Sequence, residues 1–347
     1  MTPPTTMRAA VYHGPRDIRI ERVPRPVPAA DQVLVRVLRS GLCGTDVTEW
    51  VSGPVMIPLA QRHPHSGHGG PLVPGHEITG EVVEAPSGSP LAPGALVVSG
   101  AQVVCGDCAR CREGRVNICE RLFTLGLNAP GGHAEYVVGP SRSFVPVPAG
   151  LSLDAAGLAQ PLAVGLHAAR RCGAAPGDRV MISGAGAIGG FVLAGLRHLV
   201  PDLHVTVVDV DAARLARVRE LGADAVELAG ERDGERFDVT VEASGAAAAL
   251  ASCVARTRTG GRVMAVGMPA GSTAVPLHDL VLREIALLTS VALVTDEDVA
   301  PALEILATTD LAQRVLESVR PLGDIAGTLE EMARGSVRGK VLLDPAR

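Results

Sequence analysis

Between a strand-like run at Arg179–Ser183 and a helical run at Ala187–Leu199 lies Gly184-Ala185-Gly186-Ala187-Ile188-Gly189, three glycines in G-x-G-x-x-G spacing. Few folds use that spacing in that context. Gly184 permits a tight turn, Gly186 lets the backbone approach a pyrophosphate, and Gly189 lets helix and strand pack closely. The phosphate then rests on the helix N-terminus, where free N–H groups and the dipole favour anions. The next strand-like run, His204–Asp209, ends on an acid 20 residues beyond Gly189. A carboxylate there accepts from both adenosine ribose hydroxyls and repels a 2′-phosphate, which favours NAD over NADP. Arg214 is the contrary sign, because an arginine there can stack on adenine or meet a 2′-phosphate, and Asp209 also reads as a helix cap. Ile188 and Gly267 complete the residues expected to line this cofactor.

The rest of the chain fits around that unit. At 347 residues two domains are expected. Eighteen of the 26 prolines fall before residue 149, where apolar residues come in short alternating runs at 8–12, 17–21 and 32–38 that break at Gly or Pro. That is the texture of half-buried strands joined by loops. From about residue 155 strand-like runs alternate with helical segments of 10 to 15 residues, the pattern of βαβ units and a parallel sheet. Further strands are expected at 237–242, 262–267 and 284–290, and a helix at 296–306 capped by Thr295 or Asp296. The tail, 315–343, returns to short strands around one helix near 324–334 and is expected to pack on the first domain.

Composition removes several classes. With 32 Lys+Arg against 37 Asp+Glu the net charge is −5, which leaves no global positive field for a nucleic-acid backbone. The apolar stretch 180–196 is shorter than the ~20 residues a membrane span needs and carries five glycines. The start, residues 1–17, has no apolar signal-peptide core, so a cytoplasmic protein is expected. Lys340 is the only lysine, read as arginine-rich coding bias.

Four of the seven cysteines form Cys105-x2-Cys108-x2-Cys111-x7-Cys119. Such spacing lets thiolates converge on one tetrahedral zinc from a compact lobe at about 100–120, whereas closely spaced cysteines pair awkwardly as disulfides. Four thiolates leave no open position, so this zinc would be structural. Cys172 and Cys253, in apolar helical text, read as buried thiols.

Gly41-Leu42-Cys43-Gly44-Thr45-Asp46 and Gly75-His76-Glu77 offer a thiolate, an imidazole and a carboxylate, the ligand types of a zinc that keeps one position open. Together with the four-cysteine lobe, Gly132-His133-Ala134-Glu135-Tyr136, the glycine fingerprint and Glu242-Ala243-Ser244-Gly245, this text resembles the zinc-dependent medium-chain dehydrogenases over almost the full chain. It is most similar to the polyol branch of sorbitol, L-threonine and 2,3-butanediol dehydrogenases, through residues 53–58, the His/Gly/Pro segment before Gly75 and Cys43-Gly44-Thr45-Asp46-Val47. The resemblance implies an α/β protein with a GroES-like, mostly β catalytic domain (1–155 and 295–347) and a Rossmann domain (156–294). It also implies two zinc ions per chain, NAD(H), and a small alcohol or ketone as substrate. Cys43 and His76 would be ligands of the catalytic zinc, Glu77 a ligand or a neighbour exchanging with water, and Asp46 an orienter of the His76 ring. Zinc would lower the pKa of an alcohol so that hydride passes to nicotinamide, and Thr45 would begin a proton relay. A homodimer or homotetramer through strands near 284–294 is expected.

The chain departs from the resemblance at two positions. Thr48 stands where relatives often have a relay histidine, and Gln160 where they commonly have a Glu, Asp or Cys near the metal. An amide oxygen is a poorer zinc ligand, so Cys43, His76, Glu77 and water are the expected shell. His63, His65 and His68 are loop histidines, solvated or touching substrate. His133 replaces an aromatic ring near the substrate, and Trp50 follows Cys43 closely; each can line the pocket or simply pack. The competing readings are an L-threonine 3-dehydrogenase-like enzyme, a zinc-free reductase and an NAD-binding protein without turnover.

Overall fold

A computed structural model of the chain describes residues 5–231, 234–269 and 271–347; residues 1–4, part of the start read for a leader, lie outside them. The chain forms two compact units, one made of Met1–Gln160 with Val294–Arg347, the other of Pro161–Leu293.

The second unit is a six-stranded parallel sheet in the order Ala225–Leu228, His204–Asp209, Arg179–Ser183, Phe237–Glu242, Thr257–Ala265, Ala286–Thr289. The inner strands are nearly continuous apolar runs because helices cover both faces. Val180, Ile182, Val205, Val207, Val239 and Val241 are fully buried, together with Val192 and Leu196 of the helix Ala187–Leu199. Each such side chain contributes roughly 1.5–3 kcal/mol. The strand order reverses between Arg179–Ser183 and Phe237–Glu242, and a doubly wound sheet takes its ligand at the carboxyl ends of strands where the order reverses.

The first unit is built on a seven-stranded sheet that includes Gln32–Gly41, Glu77–Glu84 and, from the tail, Leu316–Pro321 and Lys340–Asp344. The last strand pairs antiparallel with Gln32–Gly41, so residues 340–344 lie beside the end of the strand that leads to Cys43. Thr6–Gly14 and Asp17–Pro24 form a hairpin, and a short ladder of Gln102–Val103 with Phe123–Thr124 flanks the cysteine lobe. Trp50 packs with Leu322, Ile325 and Leu329 of the tail, and its indole N–H donates to Glu330 at 3.1 Å.

Three local expectations need correction. Helix 296–306 begins as a π turn at Thr295–Val299 and continues as Ala300–Thr308. Neither Thr295 nor Asp296 caps it; the Asp298 carboxylate reaches back to the Val294 N–H at 2.7 Å. The strand expected at 262–267 runs earlier, at Thr257–Ala265, and that expected at 284–290 is trimmed to Ala286–Thr289.

Candidate metal centre and nucleotide site

Cys43 ends the turn after Gln32–Gly41 and is the N-cap of the helix Gly44–Ser52. No Ser, Thr or Asn caps this helix. Instead Asp46, three residues in, accepts the Cys43 backbone N–H at 2.8 Å, the reaching-back half of a capping box. His76 and Glu77 open the adjacent strand Glu77–Glu84, whose Glu77 is opposite Gly41. The sheet register thus brings the two motifs together: Cys43 Sγ, a His76 ring nitrogen and a Glu77 oxygen lie within 4.8 Å of one another. Tetrahedral zinc with bonds of ~2.0–2.3 Å needs edges of roughly 3.5 Å, so these donors close on an ion by small adjustments. A Cβ at Gly41 would stand 2.0 Å from Glu77 Oε2, so glycine is required there.

The chemistry of the cluster fits a cation. His76 is buried and its Nδ1 has no hydrogen-bond partner; Asp46 Oδ1 is likewise buried and unpaired. Burial pulls the His76 imidazole down, but the Cys43 sulfur, then Asp46 and Glu77, outweigh it, and its pKa rises to about 9. Thr45 Oγ1 is 3.7 Å from Cys43 Sγ. Gln160 lies nearly buried near the start of the helix Ala159–Cys172.

Three groups around this centre were not foreseen in their roles. Lys340 Nζ sits 2.7 and 2.6 Å from the two oxygens of Glu77 and donates to the Leu42 carbonyl at 2.6 Å; both charged side chains are at least 95% buried. A sole lysine inside the apolar run 340–343 was the available signal. Thr48 is turned onto its own helix, donating to the Gly44 carbonyl at 3.1 Å. His133 is fully buried and bonded through Nδ1 to Ser40 Oγ at 2.8 Å, and burial drives its pKa down to about 4. His133 and Trp50 therefore pack. The loop histidines make turns: His63 Nδ1 accepts the Ser66 N–H at 3.2 Å, and His68 Nε2 bonds the Pro71 carbonyl at 3.1 Å.

The four lobe cysteines also converge. Sulfur separations of 3.8 Å (Cys105–Cys111), 3.9 Å (Cys108–Cys119) and 3.4 Å (Cys119–Cys105) bracket the ~3.8 Å edge of a tetrahedron with Zn–S bonds of ~2.3 Å. All seven cysteines are free. Backbone N–H groups of Glu120 and Cys111 lower the Cys108 thiol to about 6.

In the parallel-sheet unit, Gly184 adopts φ +111°, and a Cβ on Gly189 would stand 1.8 Å from the Gly184 carbonyl oxygen. A Cβ on Gly186 would meet nothing within 4 Å. That contrast separates a glycine needed for ligand approach from one needed for packing. Asp209 Oδ2 accepts the Ala185 N–H at 2.6 Å and Oδ1 the Asp211 N–H at 2.9 Å, tying the acid to the glycine turn. Arg214 pairs with Asp211 at 3.8 Å, and Ile188 packs into the helix–sheet core. Gly267 sits where a Cβ would be 2.2 Å from the Gly245 nitrogen, so its immediate duty is close packing of the segment after Glu242.

A mostly β unit with a Cys/His/Glu cluster and a cysteine lobe, joined to a dinucleotide-type sheet, defines a two-domain metal-dependent dehydrogenase. Residues 29–149 match the alcohol dehydrogenase GroES-like domain and residues 187–308 the zinc-binding dehydrogenase domain. The chain is 31% identical to L-threonine 3-dehydrogenase of Coxiella burnetii over 284 residues, 77% of this chain and 78% of that protein. It is also 31% identical to human sorbitol dehydrogenase over 289 residues, 79% and 78% of the two chains. The crystal structure of 2R,3R-butanediol dehydrogenase from Bacillus subtilis superposes with a TM-score of 0.88 at 25% identity, covering 98% of this chain and 99% of that one. The chain belongs to the zinc-binding medium-chain dehydrogenases, in the polyol branch, and is an oxidoreductase acting on CH–OH groups. Among the described residues no helix is long and apolar enough to cross a membrane.

Proposed function

We propose that the chain interconverts a secondary alcohol of a diol, polyol or cyclitol and its ketone, with NAD(H) as hydride carrier and two zinc ions per chain, one of them catalytic. The observation that carries this is the convergence of Cys43, His76 and Glu77. When bound, zinc supplies Lewis acidity to an alcohol oxygen and NAD+ accepts the hydride, giving ketone, NADH and a proton. The chain's own residues do the rest. Cys43 and His76 hold the ion, and Glu77 stands beside it with its charge balanced by Lys340. Asp46 holds the Cys43 turn, and Thr45 takes the alcohol proton toward solvent without help from Thr48, whose hydroxyl is engaged on its helix. Asp209, tied to the glycine turn, selects an unphosphorylated ribose, which supports NAD over NADP. Cys105, Cys108, Cys111 and Cys119 hold the second, structural zinc.

Free thiols throughout fit a cytoplasmic location. The edge strand Ala286–Thr289, beside exposed Leu277, Val281 and Leu282, fits a homodimer or homotetramer. An L-threonine 3-dehydrogenase activity is the second reading, favoured by the Coxiella relative. Zinc analysis with NADH absorbance on a panel of diols, inositols and L-threonine tests the assignment. Two zincs and turnover of a vicinal diol are expected; one zinc and no turnover on the whole panel would overturn it.

A further inference from the structure

His133 Nε2 and Asp46 Oδ1 face each other 3.8 Å apart. Both atoms are buried and neither has a hydrogen-bond partner. The small cavity lined by Tyr12, Asp46, Glu49, Pro74 and His133 has no room for a water molecule. Leaving a buried donor and acceptor unpaired is costly, so the two satisfy each other with a closure of about 1 Å.

The imidazole is fixed independently of Asp46. Ser40 Oγ holds Nδ1 at 2.8 Å, and the ring lies so close to Gly75 that a Cβ there would stand 2.5 Å from Nδ1. Gly75 adopts φ +99° and directly precedes His76. The His133 backbone is anchored as well, donating to Pro74 O at 2.9 Å and accepting from Ala10 N at 2.8 Å. A carboxylate only accepts, so the tautomer that suits both neighbours carries its proton on Nε2 and accepts the Ser40 hydroxyl on Nδ1. Asp46 in turn holds the Cys43 N–H at 2.8 Å.

We propose that His133 is a positioning residue for the metal centre: its Nε2–H donates to Asp46 Oδ1 and, through Asp46, fixes the turn that presents Cys43. A plain aromatic ring would fill the same space without donating. This rests on the catalytic-zinc reading above, since the ordered carboxylate matters only if the ion binds Cys43 and His76.

The test compares the parent with His133→Phe, loading zinc against a competing chelator and recording imidazole nitrogen NMR on the zinc-loaded parent. The parent is expected to show a neutral His133 protonated on Nε2. His133→Phe is expected to raise the dissociation constant of the Cys43–His76 zinc by tenfold or more, with the four-cysteine zinc as an unchanged internal reference. An Nδ1-protonated ring, or equal zinc affinity in H133F, overturns the proposal while leaving the catalytic zinc intact. If the parent itself binds zinc only at the four cysteines, the underlying reading falls and the proposal with it. Should H133F not fold, the NMR tautomer on the parent still decides.

Discussion

Glu77 is a carboxylate almost without solvent, and Lys340 Nζ sits 2.6 Å from it. Removing one partner of a buried pair leaves an uncompensated charge, which costs about 3–5 kcal/mol. Lys340→Met is therefore expected to lower unfolding free energy by about that amount in urea titrations of the metal-free chain. Arginine at 340 should retain most of the stability, and a midpoint unchanged in K340M would contradict the pairing. The lone lysine in an apolar run was a local signal, but its partner was not: residues 77 and 340 meet only because the tail strand pairs beside Gln32–Gly41. Cys43, His76 and the lobe cysteines, by contrast, were legible because metal-ligand types in short spacing are local facts. His133 and Trp50 were readable as pocket or core, and only their burial decides for core. The His76 shift has its own consequence. Zinc takes neutral imidazole, and the metal-free ring has its pKa raised to about 9, so near pH 7.5 this ring is protonated and zinc uptake must release its proton. His76 alone then makes apparent zinc affinity rise about tenfold per pH unit up to about pH 9 and level off above it. Calorimetry in buffers of different ionisation enthalpy measures that release, and no proton release at pH 7.5 would contradict it. At the nucleotide end, Asp209→Ser is expected to raise relative kcat/KM for NADP over NAD at least tenfold, and an unchanged ratio would remove Asp209 from the ribose.

Elements with a strong period were legible and short ones were not. Arg179–Ser183, His204–Asp209 and Phe237–Glu242 run between the residues expected from their apolar text, because a strand buried on both faces must be apolar throughout. The edge strand Ala225–Leu228 escaped notice; it is four residues long and its Glu227 is neutralised by Arg256 at 2.6 Å, a pairing invisible in sequence. The helix Gly44–Ser52 was hidden because its N-cap is a cysteine and its cap bond comes from Asp46. The glycine turn gives a paired prediction. Gly189→Ala pushes a Cβ into the Gly184 carbonyl and is expected to lower the melting temperature by several degrees as well as weaken NAD(H). Gly186→Ala meets open space and is expected to melt with the parent while its NAD(H) dissociation constant rises tenfold or more. Thermal melts with and without cofactor, plus NADH fluorescence titration, separate the two. Equal cofactor affinity in G186A would argue against a pyrophosphate on that backbone.

At the scale of the whole molecule, the mixed-sheet unit carries a cluster of metal-ligating residues and the parallel-sheet unit a glycine turn of the dinucleotide type. The order of motifs along the chain sufficed to suggest this division, since cysteine spacing, Gly75-His76-Glu77 and the glycine fingerprint occur in separate stretches. The substrate is not legible in the same way, because the motifs specify metal and dinucleotide chemistry and none of them specifies an alcohol. Zinc-edge anomalous diffraction from crystals grown with zinc measures directly whether an ion binds at Cys43 and His76. Two peaks per chain are predicted, one inside the four cysteines and one touching Cys43 Sγ and a His76 ring nitrogen. A single peak in the cysteine lobe, with nothing at Cys43 in zinc-saturated crystals, would contradict it.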